Sequence, residues 1–141
     1  MRAAPPRWRG LACAVGAPQA TLLAELGEPA ARQATGVEEW LVFRASGCTL
    51  RLRCVASDGE VPRVASWSVS YQEGPATLRE AAEPLGLWPA CAPDEVAARS
   101  ELPLIRRAIR APGAPPRSCT AAIRGGRIRR VALFDEEPDW L

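Results

Sequence analysis

Arginine is the side chain this sequence arranges for chemistry. Arg51 and Arg53 stand two residues apart, so on an extended strand they share one face. Arg124, Arg127, Arg129 and Arg130 crowd around Gly125-Gly126, and Arg106, Arg107 and Arg110 form a third group. A guanidinium offers paired N–H donors to a carboxylate or a phosphate. Gathered on one sheet face, these side chains would make a surface for acidic ligands. The competing reading is a solvated face balanced by Glu.

All 18 basic side chains are arginine, set against 16 carboxylates, for a formal net charge of +2. That balance does not by itself imply nucleic acid. Nucleic acid would also require exposed aromatic rings for stacking, whereas Trp67 and Tyr71 fall on positions that read as core. If the arginines carry a contact, an acidic protein is the partner they suit, and nucleic acid is not expected.

The absences restrict the chemistry further. The chain has no histidine, which excludes a Ser-His-Asp triad, a Cys-His nucleophile pair and His-ligated zinc or haem. Lysine is missing too, which excludes Schiff-base catalysis and the Walker A phosphate loop. Glu38-Glu39 is a carboxylate pair in sequence. Strand neighbours point to opposite faces, so the two cannot flank one bond. No catalytic residue, metal ligand or cofactor is assigned.

The five cysteines are Cys13, Cys48, Cys54, Cys91 and Cys119. Their odd number argues against a closed disulfide framework, and no Cys-x-x-Cys marks a zinc ribbon or a thioredoxin-like site. On one strand Cys48 and Cys54 would lie about 20 Å apart, beyond the roughly 4.4–6.8 Å that a disulfide spans. They read as buried thiols acting as small hydrophobes.

The elements that would position these residues follow from periodicity and punctuation. A helix is expected over 18–26, with Pro18 in the first turn, Leu22, Leu23 and Leu26 on one face, and Gly27 and Pro29 as stop signals. Residues 30–37 read as a polar loop. Strands follow at 39–45, 48–55 and 61–71. In the second, Cys48, Leu50, Leu52 and Cys54 alternate with Thr49, Arg51 and Arg53. In the third, Trp67, Val69 and Tyr71 share a face. Trp40 and Trp67 are expected as core anchors. Trp88, in Gly86-Leu87-Trp88-Pro89, is a loop tryptophan and a candidate binding anchor.

The second half echoes the first. Gly74 to Gly86 repeats the helix with its Leu-Gly stop, and Ser118-Cys119-Thr120 repeats Gly47-Cys48-Thr49. The run from Gly126 through Ile128 and Val131 keeps the spacing of Gly59, Val61 and Val64. Between these lie a short helix at 93–100 and a Pro-rich connector at 111–116. Residues 102–110 fit a helix face or a strand, and the echo favours the strand. With 48% hydrophobic residues the chain can fill a core. The expected fold class is α+β, as two tandem helix-plus-antiparallel-sheet units. The divisions are a disordered leader (1–9), a first unit (10–72), a second, diverged unit (73–135) and an acidic tail (136–141). Units of that size are marginal alone, so the two sheets should pack together or join edge to edge, which would also remove exposed edges.

Val15-Gly16, the helix ending Leu26-Gly27-x-Pro29, Trp40 opening an aromatic strand and the Leu50-x-Leu52 strand together resemble the SmpA/OmlA, or BamE, family of small outer-membrane assembly lipoproteins. A tandem of such units is similar to the β-lactamase inhibitory protein architecture. Bacterial immunity proteins of toxin systems often show a comparable order of elements. The resemblance implies non-catalytic protein binding, as an inhibitor, immunity or assembly factor. The alternative is an envelope lipoprotein with a misassigned start. A second alternative is a globular protein that holds an acidic ligand on its arginine face. No stretch is long enough to cross a membrane, and the apolar run at 11–17 is short for a signal peptide. A cytoplasmic location is expected, with the periplasm or outer membrane as the alternative.

Overall fold

The computed structural model describes residues 8, 10–11, 14–45, 47–56, 59–87, 104–109, 117–124 and 127–134; positions 78, 104–109, 117–119, 124 and 134 enter by backbone alone. It is a mixed helix and sheet protein, mostly strand. Alternation organises it. In β3 (Cys48–Val55) the side chains of Cys48, Leu50, Leu52 and Cys54 are buried, while those between them reach the other side. β2 (Glu38–Ala45) and β4 (Arg63–Tyr71) flank β3, both antiparallel to it. Leu41 and Phe43 of β2 and Trp67 and Val69 of β4 extend its buried row.

A further strand, β1 (Ala31–Thr35), pairs with β2 where the sequence suggested a polar loop. All five of its residues are exposed. An edge strand with no buried side chain lacks the apolar alternation by which strands are read. The rest of the sheet is β5 (Leu104–Ile109), β6 (Arg117–Arg124) and β7 (Arg127–Phe134), so residues 104–109 are strand rather than helix. The strands form one seven-stranded sheet in the order β1-β2-β3-β4-β7-β6-β5, every neighbouring pair antiparallel. The expected helix at 93–100, the connector at 111–116, the acidic tail and Trp88 lie outside the described residues. So does the leader, apart from Trp8, whose side chain is 0% exposed and belongs to the core.

α1 (Gln19–Leu26) follows Pro18 and stops at Gly27, whose N–H donates to Leu23 O. α2 (Leu78–Ala82) is capped by Thr77, whose Oγ1 accepts from Glu80 N–H at 3.2 Å, and runs into a 3-10 turn at Glu83–Leu85. Leu22, Leu26, Ala81, Ala82 and Leu85 pack on the Leu50, Leu52, Trp67, Val131 and Leu133 side of the sheet in a single core. The Trp67 indole N–H donates to Leu11 O at 2.8 Å, tying the first described turn to the sheet centre. No described helix covers the opposite face.

Two bulges shape the middle of the sheet. Between β3 and β4 the register slips, so that Arg53 faces Ser66 but Cys54 faces Val64. Between β6 and β7 Ala122 faces Arg130 but Ile123 faces Ile128. The extra residue, Ala65 or Arg129, lets side chains three apart share the core side: Val64 with Trp67, and Ile128 with Val131. A loop before each helix is strapped to the bulged strand. Val64 N–H donates to Ala17 O at 2.9 Å, and Ile128 N–H donates to Pro75 O at 2.8 Å. Gly74 has φ +60°, and a Cβ placed on it would stand 1.8 Å from Ile128 O. The close approach of this strap requires glycine.

Candidate binding face

The uncovered face is built by parity. Arg51 lies opposite Ser68, Ser68 opposite Ala132, and Ala132 opposite Thr120. This row is made of short side chains in its middle. Ser66, Ser68, Ala132 and Thr120 are only 7%, 8%, 1% and 9% exposed, and no described helix lies over them. Trp40, Arg53, Trp67 and Arg130 line a pocket of about 210 Å³ together with Ser66 and Ser68.

Within that pocket Arg53 donates from Nε and Nη2 to one oxygen of Glu38, at 2.9 and 2.7 Å. Both side chains are 35% exposed. Arg44, Arg51 and Arg130 are exposed and make no ion pair or side-chain hydrogen bond with a described residue. Of the carboxylates on described strands, only Glu38 is on this face. Glu39 turns to the helix side, where it accepts hydrogen bonds from Arg32 and Gln19. Those two bonds, Arg32's first, hold its carboxyl below the ordinary 4.5. Glu38 and Glu39 thus serve opposite faces, as strand geometry requires.

The arginines of the last hairpin do not act together. Arg130 reaches the uncovered face. Arg127 and Arg129 turn instead to the β4–α2 connection, donating to Gly74 O at 3.0 Å and to Gln72 O. They are structural clamps there, because backbone carbonyls that leave a strand need donors. Arg124 pairs by backbone with Arg127. Positions 106 and 107 pair with Thr120 and Cys119 and so fall on different rows, while Arg110 and Trp88 lie outside the described residues.

Trp40, expected in the core, is instead half-buried on the uncovered face, directly across from Arg53. Residues 40–43 are apolar without a break, so periodicity alone cannot assign their faces. The Ser46-Gly47 turn signal in the sequence could have done so. With Ala45 opposite Cys48, Trp40 falls opposite Arg53.

A second depression, about 360 Å³, lies at the β2–β3 turn beside Arg44, Cys48, Thr49 and Tyr71. Burial pushes the Cys48 and Cys54 thiols above the ordinary 9.0, and raises Tyr71 as well. A thiol shifted that way is a poor nucleophile at neutral pH. Both cysteines are free.

No family model matches the chain, and no curated protein matches it. Among solved structures, a cysteine-rich secretory protein from Staphylococcus aureus subsp. aureus Mu50 aligns with a TM-score of 0.48 at 10% identity, over 88% of this chain and 45% of that one. The chain spans less than half the length of that protein, and a likeness of this degree carries no argument about function.

Proposed function

We propose that this protein is a non-catalytic protein-binding module that docks an acidic segment of a partner on the uncovered face of its sheet. The supporting observation is a charge asymmetry. Among the described residues, Arg44, Arg51 and Arg130 stand on that face without carboxylate partners, and its one strand carboxylate, Glu38, is already engaged by Arg53. Complementary charge steers association and fixes register. An inhibitor, immunity or assembly factor would use a surface of this kind.

The same proposal takes the molecule as two tandem, diverged helix-plus-sheet units of the BamE-like kind. The support is the repetition of a bulge and of a strap onto it. Val64 with Ala17 in one half corresponds to Ile128 with Pro75 in the other. On that correspondence Ile128 matches Val64, three residues from the echo in the sequence, which set it against Val61. The Ser68–Ala132 pair then sits where the halves meet.

The test is calorimetric titration of the protein with a Glu-rich dodecapeptide and with its Gln counterpart. The reading expects binding of the first that weakens with salt and no binding of the second. Equal binding of both peptides, or of neither, overturns it.

A further inference from the structure

We propose that the pocket between Trp40, Arg53 and Arg130 is the receptor for a single carboxylate side chain of the docked segment. This rests on the reading of the uncovered face as the docking surface for an acidic partner, and assigns the position within that face at which recognition is specific.

The donors are in place. A guanidinium carries five N–H groups, and Arg53 spends one from Nε and one from Nη2 on Glu38. Three remain. Because Glu38 already fixes the Arg53 plane, less side-chain freedom is lost when a ligand arrives. Arg130 is exposed and has no described partner, so its whole fork is free. Ser66 and Ser68 form the floor, and neither hydroxyl bonds to another described side chain. A hydroxyl rotates to suit an acceptor. The Trp40 ring forms one wall. By excluding water there it strengthens the charged hydrogen bonds beside it.

The charge count selects the ligand. Two guanidinium groups line the pocket, and the Glu38 carboxylate paired with Arg53 leaves one net positive charge there. That matches one carboxylate. A phosphate dianion would bring a second negative charge close to Glu38, and like charges at short range are costly. A nucleic-acid strand gains affinity from many phosphate contacts at once, which the short Ser66, Ser68 and Ala132 side chains at the centre of this face do not offer.

The experiment is a titration of 15N-labelled protein followed by NMR at the arginine Nε–H and tryptophan indole N–H signals. Assignment comes from Arg53→Gln, Arg130→Gln and Trp40→Phe. The probes are the Glu-rich dodecapeptide, inorganic phosphate and a DNA single strand of 12 nucleotides. The Glu peptide should shift the Arg53, Arg130 and Trp40 signals. Arg130→Gln, which removes the free fork, should weaken the peptide about tenfold. Ser66→Val, which fills the floor, should weaken it by a similar factor, and Arg44→Gln, on the same face but outside this pocket, by less than about threefold. Arg130 is exposed, so its variant keeps the test open if Ser66→Val does not fold. Peptide binding to wild type that both pocket variants leave unchanged overturns the pocket assignment while the acidic-partner reading stands. No peptide binding at all overturns both. Phosphate or DNA binding more tightly than the peptide overturns the choice of a carboxylate.

Discussion

Arg53 and Glu38 lie on adjacent strands of the uncovered face, and the guanidinium grips one carboxylate oxygen through two nitrogens, 2.9 and 2.7 Å away. Both side chains are 35% exposed, so the pair contributes at most about 1 kcal/mol to stability. Its consequence is for binding. Glu38→Gln raises the net charge of the pocket by one while leaving an oxygen for Arg53 to bond. Its thermal midpoint should stay close to that of wild type. The Glu-rich peptide should bind it more tightly at low salt than wild type, with the difference vanishing at high salt. Calorimetry at the two salt levels checks this.

Gly74 carries a stronger constraint. Its φ is +60°, and a Cβ there would meet Ile128 O at 1.8 Å. Gly74→Ala should destabilise the protein by about 3 kcal/mol or more, since backbone must move on both sides of the strap. Gly36 has a similar φ of +59° but nothing within 4 Å of an added Cβ. Gly36→Ala should cost only about 1 kcal/mol, from the left-handed backbone alone. Urea unfolding of the two variants against wild type separates them.

Trp67 fills the sheet centre and donates to Leu11 O. Trp67→Phe keeps most of the ring but removes one of the two donors to Leu11 O, which keeps its bond from Ala14 N–H at 3.1 Å. The expected loss is about 0.5–1.5 kcal/mol, read as a lower urea midpoint.

Stability should fall at both ends of the pH scale. At the acid end Glu39 is held below the ordinary 4.5 by Arg32 and Gln19. The folded state therefore binds fewer protons than the unfolded one, and stability is lost as pH drops below about that value. At the alkaline end burial raises Cys48 and Cys54 above 9.0 and Tyr71 above 10.0. The folded state holds these protons longer, so stability declines as pH climbs past 9. In a series of thermal melts, Glu39→Gln should flatten the acid side and alter the alkaline side little, because burial is the largest cause there and Glu39 only a lesser one at Cys54.

The alternation of β3 was legible because one of its faces is buried and the other carries Arg51 and Arg53. Those two arginines were placed on one face by spacing alone, and there they lie. β1 was not legible, since nothing in it is buried. The last hairpin misled for a different reason. Counting arginines around Gly125-Gly126 suggests one cluster, but the bulge at Arg129 breaks the strand parity. Arg130 then reaches the open face while Arg127 and Arg129 bond the carbonyls of Gly74 and Gln72. A bulge leaves no mark in the apolar pattern beyond the three-residue spacing of Ile128 and Val131. Trp40 was hidden by the unbroken apolar run around it, and only strand pairing assigns its face.

The most direct test of the uncovered face as an acid-docking surface is a charge swap, with the double variant Arg44→Glu and Arg51→Glu titrated by calorimetry against Glu-rich and Lys-rich dodecapeptides. Both arginines are exposed and unpaired among the described residues, so the fold should survive their replacement. The account predicts that wild type binds the Glu-rich peptide and not the Lys-rich one, and that the double variant loses at least about tenfold in affinity for the first and gains measurable affinity for the second. Affinities for both peptides that are the same in wild type and the double variant would contradict it.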